Sequence, residues 1–230
     1  MSPTRSRTSR VRERSDVVRN RAAILEAAGN LFDQATDATA VTMDDVAAAA
    51  GVGKGTVFRR FGDQAGLLRA VFDARIAALV ERIESGPAPL GPSTPPRERI
   101  PAALVATVEF KVENRQLTRL LERVEQRPSG GNFFETPNYR WAHALLSKGL
   151  ADIADPATAQ FSAHALLSLT RIDFIEHFLF TEGHTTAELQ RHILDHVARV
   201  IGSPAPSAER PWGGAGANPR TRSDALASGT

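Results

Sequence analysis

The stretch at residues 51–61, GVGKGTVFRRF, combines three glycines, a lysine and a threonine in a way that is typical of phosphate-binding loops. A P-loop requires G-x-x-x-x-G-K-[ST] between a strand and a helix, because backbone amides and the lysine surround the phosphates. With Gly53 and Lys54 aligned to the G-K pair, Ala48 occupies the first glycine position and Gly55 the position of the Mg²⁺-binding hydroxyl. The preceding residues also have a helical pattern. Spacing and context therefore exclude a P-loop.

Two other groups of residues resemble metal ligands in type but not in spacing. His192 and His196 lie four residues apart with Asp195 beside them, yet no third ligand is spaced to close a tetrahedral site. In DFIEH (173–177), Asp173 stands where a zinc-protease motif needs a histidine. The chain has no cysteine, which excludes thiol nucleophiles and cysteine-based zinc sites. We predict no metal, no cofactor and no enzymatic activity.

The same stretch fits the interior of a helix-turn-helix. Ala47 is small where two helices must pass closely, Gly51 suits a turn with positive φ, and Val57 provides an apolar plug facing inward. Outward positions of the second helix carry groups that can contact base edges and phosphates in a major groove: Lys54, Thr56, Arg59 and Arg60. Spacing alone equally fits a helical hairpin with a charged, solvated face.

The elements around this stretch are predicted to be helical, because apolar residues recur at helical spacing and β-branched runs are scarce. The predicted helices cover about 16–34, 42–51 (opened by a Thr42–Asp45 capping box), 54–61, 63–84, 98–126, 137–153, 157–182 and 186–201. Residues 85–96 are rich in proline and glycine, and the residues after 202 are mostly Gly, Pro, Ser and Ala, which cannot build a core. The predicted fold class is all-α.

Charge is concentrated at the start of the chain. The net charge is +2, yet residues 1–21 contain seven arginines against Glu13 and Asp16. A basic front end favours a polyanionic partner, although a solvated tail has the same composition. The first residues lack the apolar segment of a secretory signal, and no apolar run reaches the length of a membrane span. We expect a cytoplasmic protein with no membrane partner.

Residues 16–75 resemble the DNA-binding domain of TetR-family transcriptional repressors. The segment AGVGKGTVFRRF carries the resemblance together with residues of the first, second and fourth helices: Ile24, Leu25, Ala28, Leu31 and Phe32; Thr42, Val46 and Ala47; Leu67 and Leu68. The resemblance implies an N-terminal three-helix helix-turn-helix DNA-binding domain and a larger C-terminal helical ligand-binding and dimerisation domain. It also implies a homodimer that binds a pseudo-palindromic double-stranded DNA operator and is released by a small-molecule effector.

On this basis the chain divides into six parts. These are a disordered basic arm (1–15), the helix-turn-helix domain (16–62), a connecting helix (63–84), a Pro/Gly-rich loop (85–96), a helical effector-binding and dimerisation domain (97–201) and a disordered tail (202–230).

Nine residues are candidates for DNA contact: Thr42, Gly53, Lys54, Gly55, Thr56, Phe58, Arg59, Arg60 and Gln64. Thr42 lies at a helix start that suits a phosphate, and the glycines allow close approach of the backbone. Lys54 and Thr56 are predicted to contact bases, while the two arginines fit guanine or phosphate.

Two of these residues depart from the family pattern. Phe58 stands where a tyrosine hydroxyl commonly reaches a phosphate, and Gln64 stands where lysine is common. Our hypothesis is that the arginine-rich arm compensates by following the DNA backbone or entering the minor groove.

The larger domain offers a candidate dimer surface. In the predicted 157–182 helix, apolar residues lie on two arcs: Phe161, Ile172 and Leu179; Leu167, Phe174 and Phe178. One arc suits its own domain and the other a partner subunit, although a central helix in a monomer has the same pattern. The final helix is predicted to complete a four-helix seam through Leu189, Ile193, Val197 and Val200.

A ligand pocket is expected among the middle helices. Its candidate lining residues are Phe110, Leu117, Leu121, Trp141, Leu145, Phe174 and Phe178, each of which equally fits a plain core position. The segment GGNFFETPNYRW (130–141) fits either a lid over that pocket or a loop held by its phenylalanines.

The function predicted from these observations is a DNA-binding, ligand-responsive repressor acting as a homodimer. Two alternatives remain at this point. One is a helical partner-binding scaffold with a degenerate DNA-binding head, and the other is a helical enzyme with an unrecognised site.

Overall fold

The computed structural model describes residues 5–35, 40–125 and 132–202, with side chains from residue 18 onward. Every regular element in this part is helical, which confirms the all-α fold class. The α-helices are α1 (Arg5–Gln34), α2 (Met43–Ala49), α3 (Lys54–Phe61), α4 (Gln64–Ser85), α5 (Pro96–Glu113), α6 (Arg115–Glu125), α7 (Pro137–Ala151), α8 (Pro156–Ser168), α9 (Ile172–Glu176) and α10 (Thr186–Gly202). A 3₁₀ turn (Phe133–Glu135) precedes α7, and a π-helical turn (His177–Thr181) follows α9. Among the described helices, none has the length and apolarity that a membrane span requires.

Local signals set the boundaries of the short helices α2 and α3. The Thr42 hydroxyl accepts a hydrogen bond from the amide of Asp45, and the Asp45 carboxylate accepts one from the amide of Thr42, which forms the predicted capping box. Gly51 and Gly62 have φ values of 65° and 76° and follow the ends of α2 and α3. The Asp63 carboxylate accepts a hydrogen bond from the amide of Gly66 and so caps α4. The predicted boundaries of this region are confirmed.

The head, which consists of α1 to α3 and the first half of α4, has its own apolar centre. Ile24 and Phe32 of α1, Val46 of α2 and Val57 of α3 are all 0% exposed. Leu67 of α4 closes the same cluster. Burying each of these side chains contributes about 1.5–3 kcal/mol relative to leaving it exposed. Val57 therefore fixes which face of α3 is turned inward.

The body, which consists of α5 to α10, packs around the second half of α4. Leu79 and Ile83 of α4 are buried in the same cluster as the head residues. A second cluster joins α5, α7, α8 and α10, with Leu104, Leu150 and Leu166 almost fully buried. Since α4 contributes to the head and to the body, it is the continuous mechanical link between them.

The start of α1 differs from the prediction. A disordered arm was expected over residues 1–15 and a helix from about Asp16, whereas α1 begins at Arg5. The segment contains no glycine or proline after Pro3, and arginine is a good helix former, so helix propensity extends α1 without any apolar periodicity. Residues 1–4 and the predicted tail after residue 202 lie outside the described residues.

Two long predicted helices are interrupted. The expected helix at 98–126 breaks at Asn114, whose side-chain amide donates to the carbonyl of Phe110. The expected helix at 157–182 ends at Ser168 and restarts at Ile172, whose amide donates to Glu122 Oε2 of α6 at 3.2 Å. A carboxylate fifty residues away thus caps the new helix, and local periodicity carries no sign of that contact.

The apolar stripe of α10 faces its own body. Leu189, Ile193 and Val197 are at most 2% exposed, so the predicted seam of these residues with a second subunit is wrong. The two predicted arcs of the preceding segment are also divided differently. Ile172, Leu179 and Leu167 are buried inside the chain and Phe178 is half-buried, while Phe161 and Phe174 are exposed. The interruption of the helix changes the rotation between its two halves, which explains the difference.

Candidate nucleic-acid interface and body cavity

Helix α3 presents a polar, cationic face to solvent. Because Val57 points into the head core, Lys54, Gly55 and Arg59 are exposed, and Thr56 and Arg60 are half-buried. Phe58 is 41% exposed, and its ring centroid lies 5.7 Å from Lys54 Nζ. The helix therefore offers donors to a partner along one open side.

The lysine of this face forms an ion pair with an acidic side chain of α2. Lys54 Nζ lies 2.7 Å from Asp44 Oδ2, and the two side chains are 61% and 56% exposed. An exposed pair of this kind contributes at most about 1 kcal/mol to stability. A competing anion can therefore displace Asp44 at low cost.

Gly53 and Gly55 have no need to be glycine for the protein's own packing. A Cβ atom added at either position would meet nothing within 4 Å, and neither φ lies in the left-handed region. Glycine at these positions leaves open space in front of the α3 N-terminus. That space permits close approach by an external surface.

Thr42 and Gln64 have partners within the head. The Thr42 hydroxyl and the Thr42 amide both donate to Asp45 Oδ2, at 2.7 Å and 2.9 Å, and these two hydrogen bonds hold the pKa of Asp45 below its usual value. Gln64 Nε2 donates to the carbonyl of Val41 at 2.7 Å, which ties the start of α4 to the segment before α2. Both side chains therefore have a structural role in the head.

A cavity of about 100 Å³ lies in the body between α4, α5, α6, α7 and the 3₁₀ turn. It borders a more open groove of about 320 Å³ beside α4, with which it shares Ile76, Val80, Glu125, Thr136 and Asn138. Four aromatic rings line the cavity: Phe72, Phe133, Tyr139 and Trp141. Together the cavity and the groove reach the lower end of the size range of small-molecule sites, about 300–1,000 Å³.

Charged groups also line this mostly apolar space. Lys111 Nζ lies 2.7 Å from Glu122 Oε1, and Arg171 Nη2 lies 3.7 Å from Glu122 Oε2. Glu125 is 7% exposed, and its ion-pair partner Arg69 is 3.7 Å away. Burial raises the pKa of Glu125, while the charge of Arg69 acts in the opposite direction. Among the described residues, Thr118 Oγ1 has no hydrogen-bond partner at all.

The identity of the head follows from a match over its core. Residues 24–71 match the family model of bacterial regulatory proteins of the tetR family. This range covers the second half of α1, all of α2 and α3, and the start of α4. The head is therefore similar in sequence to the DNA-binding domain of the tetR family. Members of this family are transcriptional regulators that bind DNA, so the matched head is that of a DNA-binding regulator and not of an enzyme.

Similarity to transcriptional regulators extends over most of the chain. An HTH-type transcriptional regulator of Staphylococcus aureus, SAR0097, is 24% identical over 186 residues, which cover 80% of this chain and 95% of that protein. A TetR-family regulator from Rhodococcus sp. superposes with a TM-score of 0.61 at 20% identity, covering 79% of this chain and 98% of the other. NalD, the secondary repressor of the MexAB-OprM multidrug efflux pump in Pseudomonas aeruginosa, superposes with a TM-score of 0.58 at 22% identity, covering 81% and 98%. These structures show that the fold of the body is shared as well.

Only part of the predicted pocket lining surrounds the cavity of this protein. Leu121 and Trp141 line it. Phe110 and Leu117 are buried in the packed core, and Leu145 packs against that core. Phe174 and Phe178 stack on each other, with Phe178 also stacked on His184. Those five predicted positions do not line the cavity.

Sequence reasoning missed the polar groups of the cavity. Thr118, Glu122 and Glu125 are four and then three residues apart and share one face of α6 with the predicted lining residue Leu121. Two acids on the apolar face of a helix are a detectable signal, since buried carboxylates are rare without a partner. The described part of the segment 130–141 contributes Phe133, Tyr139 and Trp141 to the cavity, while Phe134 is exposed.

Proposed function

We propose that this regulator is a ligand-responsive repressor. It binds a pseudo-palindromic operator as a homodimer in the cytoplasm, through the outward face of α3, and it is released when a small molecule enters the body cavity. Base contacts come from Lys54 and Thr56, and base or phosphate contacts come from Arg59 and Arg60. Thr42, Gly53, Gly55, Phe58 and Gln64 complete the surface against the DNA backbone.

The burial of Val57 is the observation that supports this proposal most directly. A fully buried valine at the centre of an eight-residue helix leaves the opposite side, with its cations and hydroxyl, facing outward. The open space in front of Gly53 and Gly55 supports a close approach to the groove. The contacts that Thr42 and Gln64 make within the head keep α2 and α4 in fixed positions relative to α3.

Exposed apolar side chains of the body support a homodimer. Phe161 of α8 is 76% exposed, Phe180 of the π-helical turn is 59% exposed and Leu194 of α10 is 41% exposed. Large apolar side chains exposed on the surface are typical of an interface with another chain. In a symmetric dimer, these side chains would pack against the same side chains of the second subunit. The two α3 helices would then lie about 34–36 Å apart, or a multiple of that distance.

The path from cavity to head runs along α4. Leu67 and Leu68 of α4 are buried with the head, whereas Ile76 and Leu79, further along the same helix, line the cavity. A ligand that tilts α4 therefore changes the separation of the two α3 helices in the dimer. That change in separation lowers the affinity for an operator whose half-sites are fixed by the DNA helix.

A mobility-shift titration with the DNA upstream of the gene, repeated at several salt concentrations, tests the proposal. We expect Lys54→Ala and Arg59→Ala each to weaken specific binding by about 1–3 kcal/mol if the residue contacts a base. If either residue contacts phosphate instead, the salt dependence should fall by about one unit of slope. The matched control is Arg140→Ala, which removes one exposed positive charge from α7 of the body. Unchanged binding by both α3 variants, or an equal loss in the control, would refute the assignment of this face.

A further inference from the structure

The charges that line the body cavity are unequally compensated. Glu122 has Lys111 at 2.7 Å and the amide of Ile172 at 3.2 Å. Arg171 donates two hydrogen bonds to Asp173, at 3.1 Å and 3.0 Å. Glu125 is in a different situation, because Arg69 Nε lies 3.7 Å from its carboxylate, beyond the usual distance of an N–H···O hydrogen bond. Of the two glutamates that line the cavity, Glu125 therefore has the more distant cation among the described residues.

One polar atom of the cavity lacks a hydrogen-bond partner among the described residues. Thr118 is 1% exposed, and no described group lies within hydrogen-bond distance of its Oγ1. Thr118 precedes Glu122 by one helical turn and Glu125 by two, so the three residues follow one another along the cavity side of α6. Leaving a buried hydroxyl unpaired is costly, and a ligand atom that pairs with it removes that cost.

The remaining walls of the cavity favour a ligand that is aromatic and cationic. Phe72, Phe133, Tyr139 and Trp141 surround the same space as Glu125. Aromatic faces attract organic cations through the ring quadrupole, and they also bury flat apolar rings well. An anionic ligand would need Lys111, Arg171 or Arg69 of the adjoining groove, and each of these already has a carboxylate partner.

We propose that the body cavity binds an aromatic organic cation whose protonated amine donates a hydrogen bond to Glu125 while Thr118 pairs with a polar atom of the same molecule. This inference rests on the proposed function, since it names the chemical class of the effector. The amine replaces Arg69 as the closest cation of Glu125. Arg69 lies on α4, directly after Leu67 and Leu68 of the head, and Glu125 lies on α6. Releasing Arg69 from Glu125 therefore loosens the connection between α4 and α6.

Three probes that share one ring system and differ in charge test the proposal: 1-naphthylmethylamine, 1-naphthylmethanol and 1-naphthylacetate. Their affinities for the full-length protein are measured by titration calorimetry at pH 7.5, where the amine is protonated. We expect the amine to bind roughly tenfold or more tightly than the alcohol, as one charge-assisted hydrogen bond provides, and the acid to bind most weakly. Glu125→Gln should remove this preference and leave the affinity of the alcohol unchanged.

Two further variants sharpen the test. Glu113→Gln, which removes an exposed carboxylate from α5, is the matched control and should keep the full preference for the amine. Arg69→Ala removes the competing cation and should increase the affinity of the amine severalfold. This second variant also decides the question if Glu125→Gln fails to fold. The proposal is overturned if the alcohol or the acid binds best, if none of the probes binds, or if the preference for the amine survives Glu125→Gln.

A mobility-shift experiment with the upstream DNA distinguishes failure of this inference from failure of the proposed function on which it rests. If the unliganded protein shifts its upstream DNA but shows no preference for the amine, the inference fails and the repressor proposal stands. If the protein binds the amine through Glu125 but never shifts DNA, the cavity assignment stands and the repressor proposal fails.

Discussion

Replacing Gly29 by alanine tests how α1 of the head is fastened to α4. Arg75 of α4 passes across Gly29 and donates to both carboxylate oxygens of Asp33, at 2.9 Å and 2.7 Å, and to Asn114 Oδ1 at 3.0 Å. A Cβ atom on Gly29 would lie 2.7 Å from Arg75 Nη2, and the three atoms nearest to it all belong to Arg75. The substitution therefore displaces the guanidinium, whereas the backbone has no reason to move.

The expected magnitude is the balance of two terms. Alanine in the interior of a helix is about 1 kcal/mol more favourable than glycine. The Arg75–Asp33 pair is partly exposed, with side-chain exposures of 26% and 48%, so displacing it costs about 0.5–1 kcal/mol. Gly29→Ala should thus be close to neutral in the wild type. With Arg75→Ala already present, the same change should stabilise the protein by about 1 kcal/mol.

The assay is a double-mutant cycle. Urea unfolding is followed by circular dichroism at 222 nm for the wild type, Gly29→Ala, Arg75→Ala and the double variant, at one protein concentration because dimer stability depends on it. A coupling of about 1 kcal/mol between the two positions is expected. If Gly29→Ala changes the free energy of unfolding by the same amount in both backgrounds, Arg75 does not occupy the space above Gly29 in solution and the reasoning fails.

Two further predictions concern the body. Phe161→Ser should shift sedimentation toward the monomer while leaving the helical signal intact, because Phe161 is 76% exposed in the single chain; an unchanged dimer would remove Phe161 from the interface. Burial raises the pKa of Glu125 in the folded protein, so its contribution to stability is fully present below the unfolded pKa of about 4.3 and is lost as the pH rises through the raised value. Glu125→Gln, which stays neutral, should therefore raise the urea midpoint at pH 7.5, with the gain shrinking toward pH 4.5; a gain that is constant with pH, or one shared by Glu113→Gln, would contradict this.

The head could be predicted from the sequence because its boundaries depend on residues within four positions of each other. The Thr42–Asp45 capping box, the positive φ values of Gly51 and Gly62, and the Asp63 cap are all interactions of this kind. The outward face of α3 follows from the burial of Val57 alone, since eight residues of helix leave little choice of rotation. The DNA contacts of the individual residues stay predictions.

The body could not be predicted to the same depth because its boundaries depend on distant contacts. Helix α9 begins where Glu122 accepts a hydrogen bond from the amide of Ile172. The cavity exists only where helices that are distant in the sequence meet. The prediction treated aromatic and leucine positions as lining, and two of seven proved to line the cavity. Glu122 and Glu125 were not predicted as lining residues because carboxylates usually lie on the surface, where they stay hydrated and no desolvation cost arises.

The Lys54–Asp44 contact bears on how this regulator finds one site among many on a chromosome. On a random sequence, a DNA phosphate that binds Lys54 would only replace the carboxylate of Asp44 as its partner. The number of condensed counterions released would therefore be smaller than the number of cations on α3 implies. If Lys54 contacts a base as proposed, two well-placed acceptors on that base more than offset the small cost of separating Lys54 from Asp44. On that proposal, the contact with Asp44 would widen the difference in affinity between a matching half-site and unrelated DNA.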